Sequence, residues 1–279
     1  TGYTRSVTYL RRMVNVKVVC ALCQNNRQLV GSHIVPLLVY KRIRSVPNSR
    51  FRSLDNIATV LQQGEKRPML CHECEERFSF LETKFARNFL DCFLQTKSVP
   101  KIQNDWLDNY ILSVAWRVLY DDLYRLNSHT QHFSREIFED FCEQLRIYLL
   151  SVKKEDFCPI PEKFKNRIYS IESFAPSIRD NPFVECGIFG YSVYFNKSNT
   201  FAVIVCYAGL AFVTEFVPDS NRLLIMHMGR SAPPLCRRLA QKAELKNELV
   251  TQYTEMLTRY KEVMTPELRE KISAFYKKK

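Results

Sequence analysis

The residues best equipped for chemistry lie in the first quarter of the chain: Cys20-Ala-Leu-Cys23, Ser32-His33 and Cys71-His-Glu-Cys74. Two Cys-x-x-Cys pairs offer four soft thiolates, and the tight turn inside each pair can aim both sulfurs at one tetrahedral ion. Cys20, Cys23, Cys71 and Cys74 are therefore expected to share a structural zinc. A redox reading would require a single such pair at a strand-to-helix junction. His72, inside the second pair, could replace one thiolate, although four cysteines already complete the shell. His33 has two readings: a catalytic base, or a ring that donates to a carbonyl and locks the surrounding chain over the metal.

Charge is concentrated beside these motifs. Residues 1–70 hold twelve Lys or Arg against Asp55 and Glu65 alone, whereas the other 209 residues carry 29 basic and 27 acidic side chains. Nearly all of the net +12 thus sits in the segment with the knuckles. Such a patch attracts polyanions by neutralising phosphates and releasing counterions. Lys41, Arg42, Arg44, Arg50 and Arg52, interleaved with Tyr40 and Phe51, are the expected nucleic-acid contacts; the plain alternative is a solvated face or a dock for an acidic protein.

Taken together, the order Cys-x-x-Cys, "GSHIVP", Cys-x-x-Cys at a helix start resembles the HNH endonucleases built on a treble-clef zinc knuckle. The wider run through "MLCHECEERFSFLETKFA" and "WLDNYILSVAWRVL" is similar to bacterial HNH-like proteins, some associated with anti-phage defence, and covers roughly the first 120 residues. The resemblance implies that His33 activates water toward a phosphodiester while neighbouring residues hold a catalytic Mg or Mn ion. Glu75, directly after the last knuckle cysteine, and Asn56, in "SLDNIATV", take the ligand positions of the family, with Asp55 a further candidate. Ser32 stands where the family has an acidic residue or histidine. That departure leaves three readings: a metal-dependent endonuclease, a zinc module that binds nucleic acid without cutting, or an interaction protein that docks a partner such as another defence component.

These residues need a scaffold, and the pattern along the chain predicts an α+β fold in three parts. Residues 1–90 are turn-rich and form the zinc-binding, HNH-like part. Residues 91–170 read as helical: Trp106, Tyr110, Val114 and Leu107, Ile111, Val118 form neighbouring ridges, with Trp116 and Arg117 as a core and its polar anchor, and Ser134 opens a second amphipathic helix. Residues 171–279 read as an antiparallel meander of about four strands over 183–229, then C-terminal helices, one striped by Leu249, Tyr253, Met256, Leu257, Tyr260 and Met264 and a short one opened by Thr265 and Pro266. Glu73, Glu75, Glu76 and Glu82 also suit the start of a helix by the dipole alone. Cys92, Cys142, Cys158, Cys186, Cys206 and Cys236 are expected as core thiols.

With 46% hydrophobic and 25% charged residues, the composition is that of a globular protein rather than a disordered one. The longest apolar run, 201–213, is too short for a membrane helix. The opening "TGYTRSVTYLRR" lacks a secretory apolar core, and with ten cysteines this predicts a reducing, cytoplasmic setting.

Overall fold

A computed structural model describes residues 18–43, 63–102, 104–125, 132–153, 156–217, 234–263, 265–267 and 270. It is a mixed helix-and-sheet fold with antiparallel sheets and a cysteine cluster near its N-terminal end. Short strands β1 (Val18–Val19) and β2 (Asn26–Arg27) flank the first knuckle and pair antiparallel. Strand β3 (Leu29–His33) leads through α1 (Leu37–Ile43) and pairs antiparallel with β4 (Lys66–Cys71), with a bulge between Val30 and Gly31. β4 runs without a break into α2 (His72–Phe85), so the second knuckle straddles a strand end and a helix start.

A π-turn at Ala86–Leu90 carries α2 into α3 (Asp91–Thr96), which ends at Lys97 in the left-handed region, φ 56°. α4 (Asp105–Arg125) and α5 (His132–Ser151) follow as a packed pair. Trp106, Leu107, Tyr110, Ile111, Val114 and Val118 are all buried, as their helical spacing predicts. α5 begins two residues before the expected Ser134 cap.

The main sheet has the order β5-β8-β7-β6, antiparallel throughout: β5 (Phe164–Ser170), β6 (Phe189–Phe195), β7 (Thr200–Tyr207) and β8 (Leu210–Phe216). Two short helices, α6 (Ile171–Phe174) and α7 (Phe183–Cys186), bridge β5 to β6. The meander β6-β7-β8 follows the pattern read from the sequence, but its fourth partner is β5, in a stretch read as helical. β5 carries Lys165, Asn166 and Arg167, so its apolar signal is thin, and what makes it a strand is its register with β8, Phe164 opposite Phe216. The further strand expected near 222–229 and most of the final helix lie outside the described residues.

β7 and β8 are buried along their whole length because both sheet faces are covered. Phe201, Val203, Val205 and Tyr207 face one apolar cluster with α4, whereas Ala202, Ile204 and Cys206 face a second with Leu245, Leu249 and Tyr253 of α8 (Pro234–Val263). α4 lies so close to β6 that a Cβ at Gly190 would come within 2.8 Å of Val118. The first cluster is continuous from Cys20, Cys71 and Cys74 through Phe78, Phe85 and Phe89 to α4 and Phe212. Apolar packing therefore runs across both boundaries suggested by the sequence pattern, near residues 90 and 170. Among the described residues no helix is long and apolar enough to cross a membrane.

Candidate functional site

The four knuckle cysteines come together. Their Sγ atoms all lie within 4.8 Å of one another, with Cys23 and Cys71 3.9 Å apart. A tetrahedral ion with sulfur at about 2.3 Å would set neighbouring sulfurs about 3.8 Å apart. The first knuckle is shaped by its own backbone: Gln24 N–H donates to Cys20 O (2.9 Å), with Gln24 at φ 60°, and Ala21 N–H donates to Met69 O of β4 (3.0 Å). Cys71 closes β4 and its N–H donates to Cys20 Sγ (3.3 Å), while Cys74 sits in the first turn of α2. Burial pushes the Cys20 thiol up, but N–H groups of Cys23, Cys71 and Leu22 outweigh it and bring it to about 7. Burial drives the Cys71 and Cys74 thiols upward. A bound cation reverses that direction, since it stabilises thiolates directly. These four residues can hold one metal ion; His72 is exposed, beside Glu76, and is not among them.

His33 ends β3, opposite Lys66, with its ring half-buried. Burial, with the cations Lys66, Arg117 and Lys41 around it, lowers its pKa to about 4, against a backbone hydrogen bond at Gln63. Nε2 is buried without a hydrogen-bond partner among the described residues, so we assign the Gln63 bond to Nδ1–H and the free lone pair to Nε2. The ring is neutral at physiological pH and can accept a proton. Ser32 faces the other way: it is fully buried and its Oγ accepts from Leu70 N–H (3.3 Å).

Glu75, in the first turn of α2, keeps one oxygen, Oε2, buried without a hydrogen-bond partner among the described residues. Among the described residues, no second group of three His, Cys, Asp or Glu ligands gathers. Asn56, Asp55, Arg44, Arg50 and Arg52 lie outside the described residues. Lys41 is exposed on α1, but Arg42 makes a two-point ion pair with Asp91 (2.6 and 3.1 Å) and is half-buried there. Of the remaining cysteines, Cys142 and Cys206 are core thiols as expected, Cys186 is half-buried, and Cys92 and Cys158 are exposed, the first on the short α3 and the second in the turn before β5. The Cys236 side chain is outside the described residues.

Sequence reasoning placed Arg117 in a helical core but missed what it holds. Arg117 is fully buried; its Nη1 donates to Glu82 Oε1 (2.8 Å) and to the carbonyl of His33 (3.3 Å). Asp121, 1% exposed, accepts from Arg67 Nε of β4 (2.8 Å). The signal was present as a polar residue at every fourth position along one line of α4: Asn109, Ser113, Arg117, Asp121, all buried. In comparisons with known proteins, no family model, no curated protein and no solved structure matches the chain.

Proposed function

We propose that the chain is a zinc-pinned, nucleic-acid-binding protein with an HNH-like hydrolytic centre at His33. The observation that carries this reading is the chain order knuckle, hairpin, helix, with four cysteines at one end of β3–β4 and a neutral, unpartnered imidazole nitrogen at the other. That order is consistent with the treble-clef arrangement that the motifs resemble. Zinc suits the set because four thiolates within 4.8 Å of one another favour a soft, redox-inert ion, with binding worth about 10–16 kcal/mol of folding free energy.

In this reading, His33 Nε2 takes a proton from water as the water oxygen attacks phosphorus. The phosphorus–oxygen bond to the leaving group breaks, and that oxygen takes a proton from solvent. Lys41 and Lys66, both exposed and close enough to lower the His33 pKa, attract the phosphate. Glu75 has an oxygen to offer a hard cation, with Asn56 or Asp55 as its partner in the proposal. When bound there, magnesium or manganese supplies charge stabilisation at the phosphate and the leaving oxygen.

Two observations favour a second reading, a zinc module that grips nucleic acid without cutting: Ser32 is turned into the core, so the residue before His33 brings no ligand to its face, and His33 Nε2 is itself buried from solvent. Incubating plasmid DNA, single-stranded DNA and RNA with magnesium or manganese separates the two. Hydrolysis is expected from the wild type and not from His33→Ala or Glu75→Ala. Retained binding with no cleavage by any of the three selects the second reading.

A further inference from the structure

We propose that Arg117 is a positioning residue for His33, supplied by α4 from outside the hairpin and helix that carry the rest of the site. The inference rests on the reading of His33 as the base. Every contact of this guanidinium points to a holding role. Nε donates to Ser113 O in its own helix (3.2 Å), Nη1 donates to Glu82 Oε1 and to His33 O, and the carbon lies 5.2 Å from the centre of the Phe78 ring. A buried ion pair needs no backbone carbonyl from the hairpin, and replacing one by apolar groups is often harmless. The carbonyl engaged here is that of the residue whose side chain does the chemistry.

The grip is two-sided. One turn along α4, Asp121 holds Arg67, which lies beside Lys66, the partner of His33 across the hairpin. α4 thus fixes β3 through Arg117 and β4 through Asp121 at the end where the ring sits. Fixing the peptide of residue 33 fixes where its Cβ aims the imidazole, and misplacement by about 1 Å can cost a hundredfold in rate. The same guanidinium also faces the ring as a charge. Around His33 stand Lys66 from β4, Lys41 from α1 and Arg117 from α4, the last paired with Glu82 of α2. Loss of Arg117 removes a cation and frees a carboxylate.

The test uses the full, zinc-loaded chain. Arg117→Met alone leaves Glu82 as a buried unpaired carboxylate and is expected to unfold, so the informative variant is Arg117→Met with Glu82→Gln, which removes both charges. Arg117→Lys keeps the charge without the fork. The His33 ring is followed by carbon-13 NMR, its signal identified by its loss in His33→Gln, and plasmid cleavage is measured over a range of substrate. In the folded double variant His33 is expected to titrate about one pH unit higher. Its kcat is expected to fall about tenfold or more at unchanged KM, with Arg117→Lys restoring part of both. A folded double variant with wild-type titration and kcat overturns the proposal and leaves Arg117 a core ion pair. If the wild type does not cleave, yet the titration moves and Lys restores it, Arg117 still positions His33 and the hydrolytic reading is the one that falls.

Discussion

His33 can be tested through pH because its folded environment opposes the proton. With a folded pKa near 4 and an unfolded value near 6.5, both states are neutral at pH 7 and the residue is without effect there. As pH falls below about 6.5 the unfolded chain takes up a proton that the folded one refuses, so stability is lost down to about pH 4. His33→Gln should therefore lose less thermal stability than the wild type between pH 7 and pH 5, measured by circular dichroism melts. A wild type and variant with parallel pH dependence would mean that the ring is solvated. As a base, the same ring should give cleavage that is flat from about pH 8 to 5 and falls as pH approaches 4. His33→Ala should reduce cleavage by about a hundredfold or more while zinc content stays unchanged. The residue types of this site were legible in the sequence because knuckle spacing is local. Arg117 was legible as a polar anchor but its role was not, since its partners Glu82 and His33 are 35 and 84 residues away and only the fold joins them.

At the scale of elements, the hairpin is held by devices at both ends. Cys71 is the last residue of β4 and precedes α2, so Cys71→Ser is expected to release the metal and separate strand, knuckle and helix together. Zinc assay and far-UV circular dichroism on the purified variant report this, and a variant that keeps its zinc and its fold would contradict it. At the other end, Gly64 enters β4 with φ +76°, and a Cβ there would lie 2.3 Å from the buried Tyr40 ring of α1. Gly64→Ala should cost about 1–3 kcal/mol in urea unfolding, from strain and displacement of α1. The main helices and the β6-β7-β8 meander were readable because their apolar periods are long and unbroken. β5 was not, because a segment carrying Lys165, Asn166, Arg167 and Ser170 becomes a strand only through pairing with β8.

Across the whole molecule, the metal region is bound to the helices by long side chains as well as by apolar contact. Arg146 of α5 donates to Leu22 O inside the first knuckle (2.9 Å), and Arg77 of α2 donates to the carbonyls of Leu149, Leu150 and Val152 at the end of α5. Phe85 stacks on Tyr110 with ring centres 3.8 Å apart, and Phe89 meets Phe212 of the sheet. A fragment of residues 1–90 is therefore expected to expose these rings and to fail to give sharp, dispersed NMR signals even with zinc added; a well-folded fragment would contradict the shared core. The basic first segment predicts that retention on a nucleic-acid column weakens steeply as salt rises from about 50 to 200 mM. Everything proposed for His33 depends on one zinc clasped by four sulfurs. Zinc-edge X-ray absorption on the purified full chain tests this most directly. One zinc per chain with four sulfur neighbours at about 2.3 Å is the predicted result; a metal-free chain, or a shell containing nitrogen or oxygen, contradicts it.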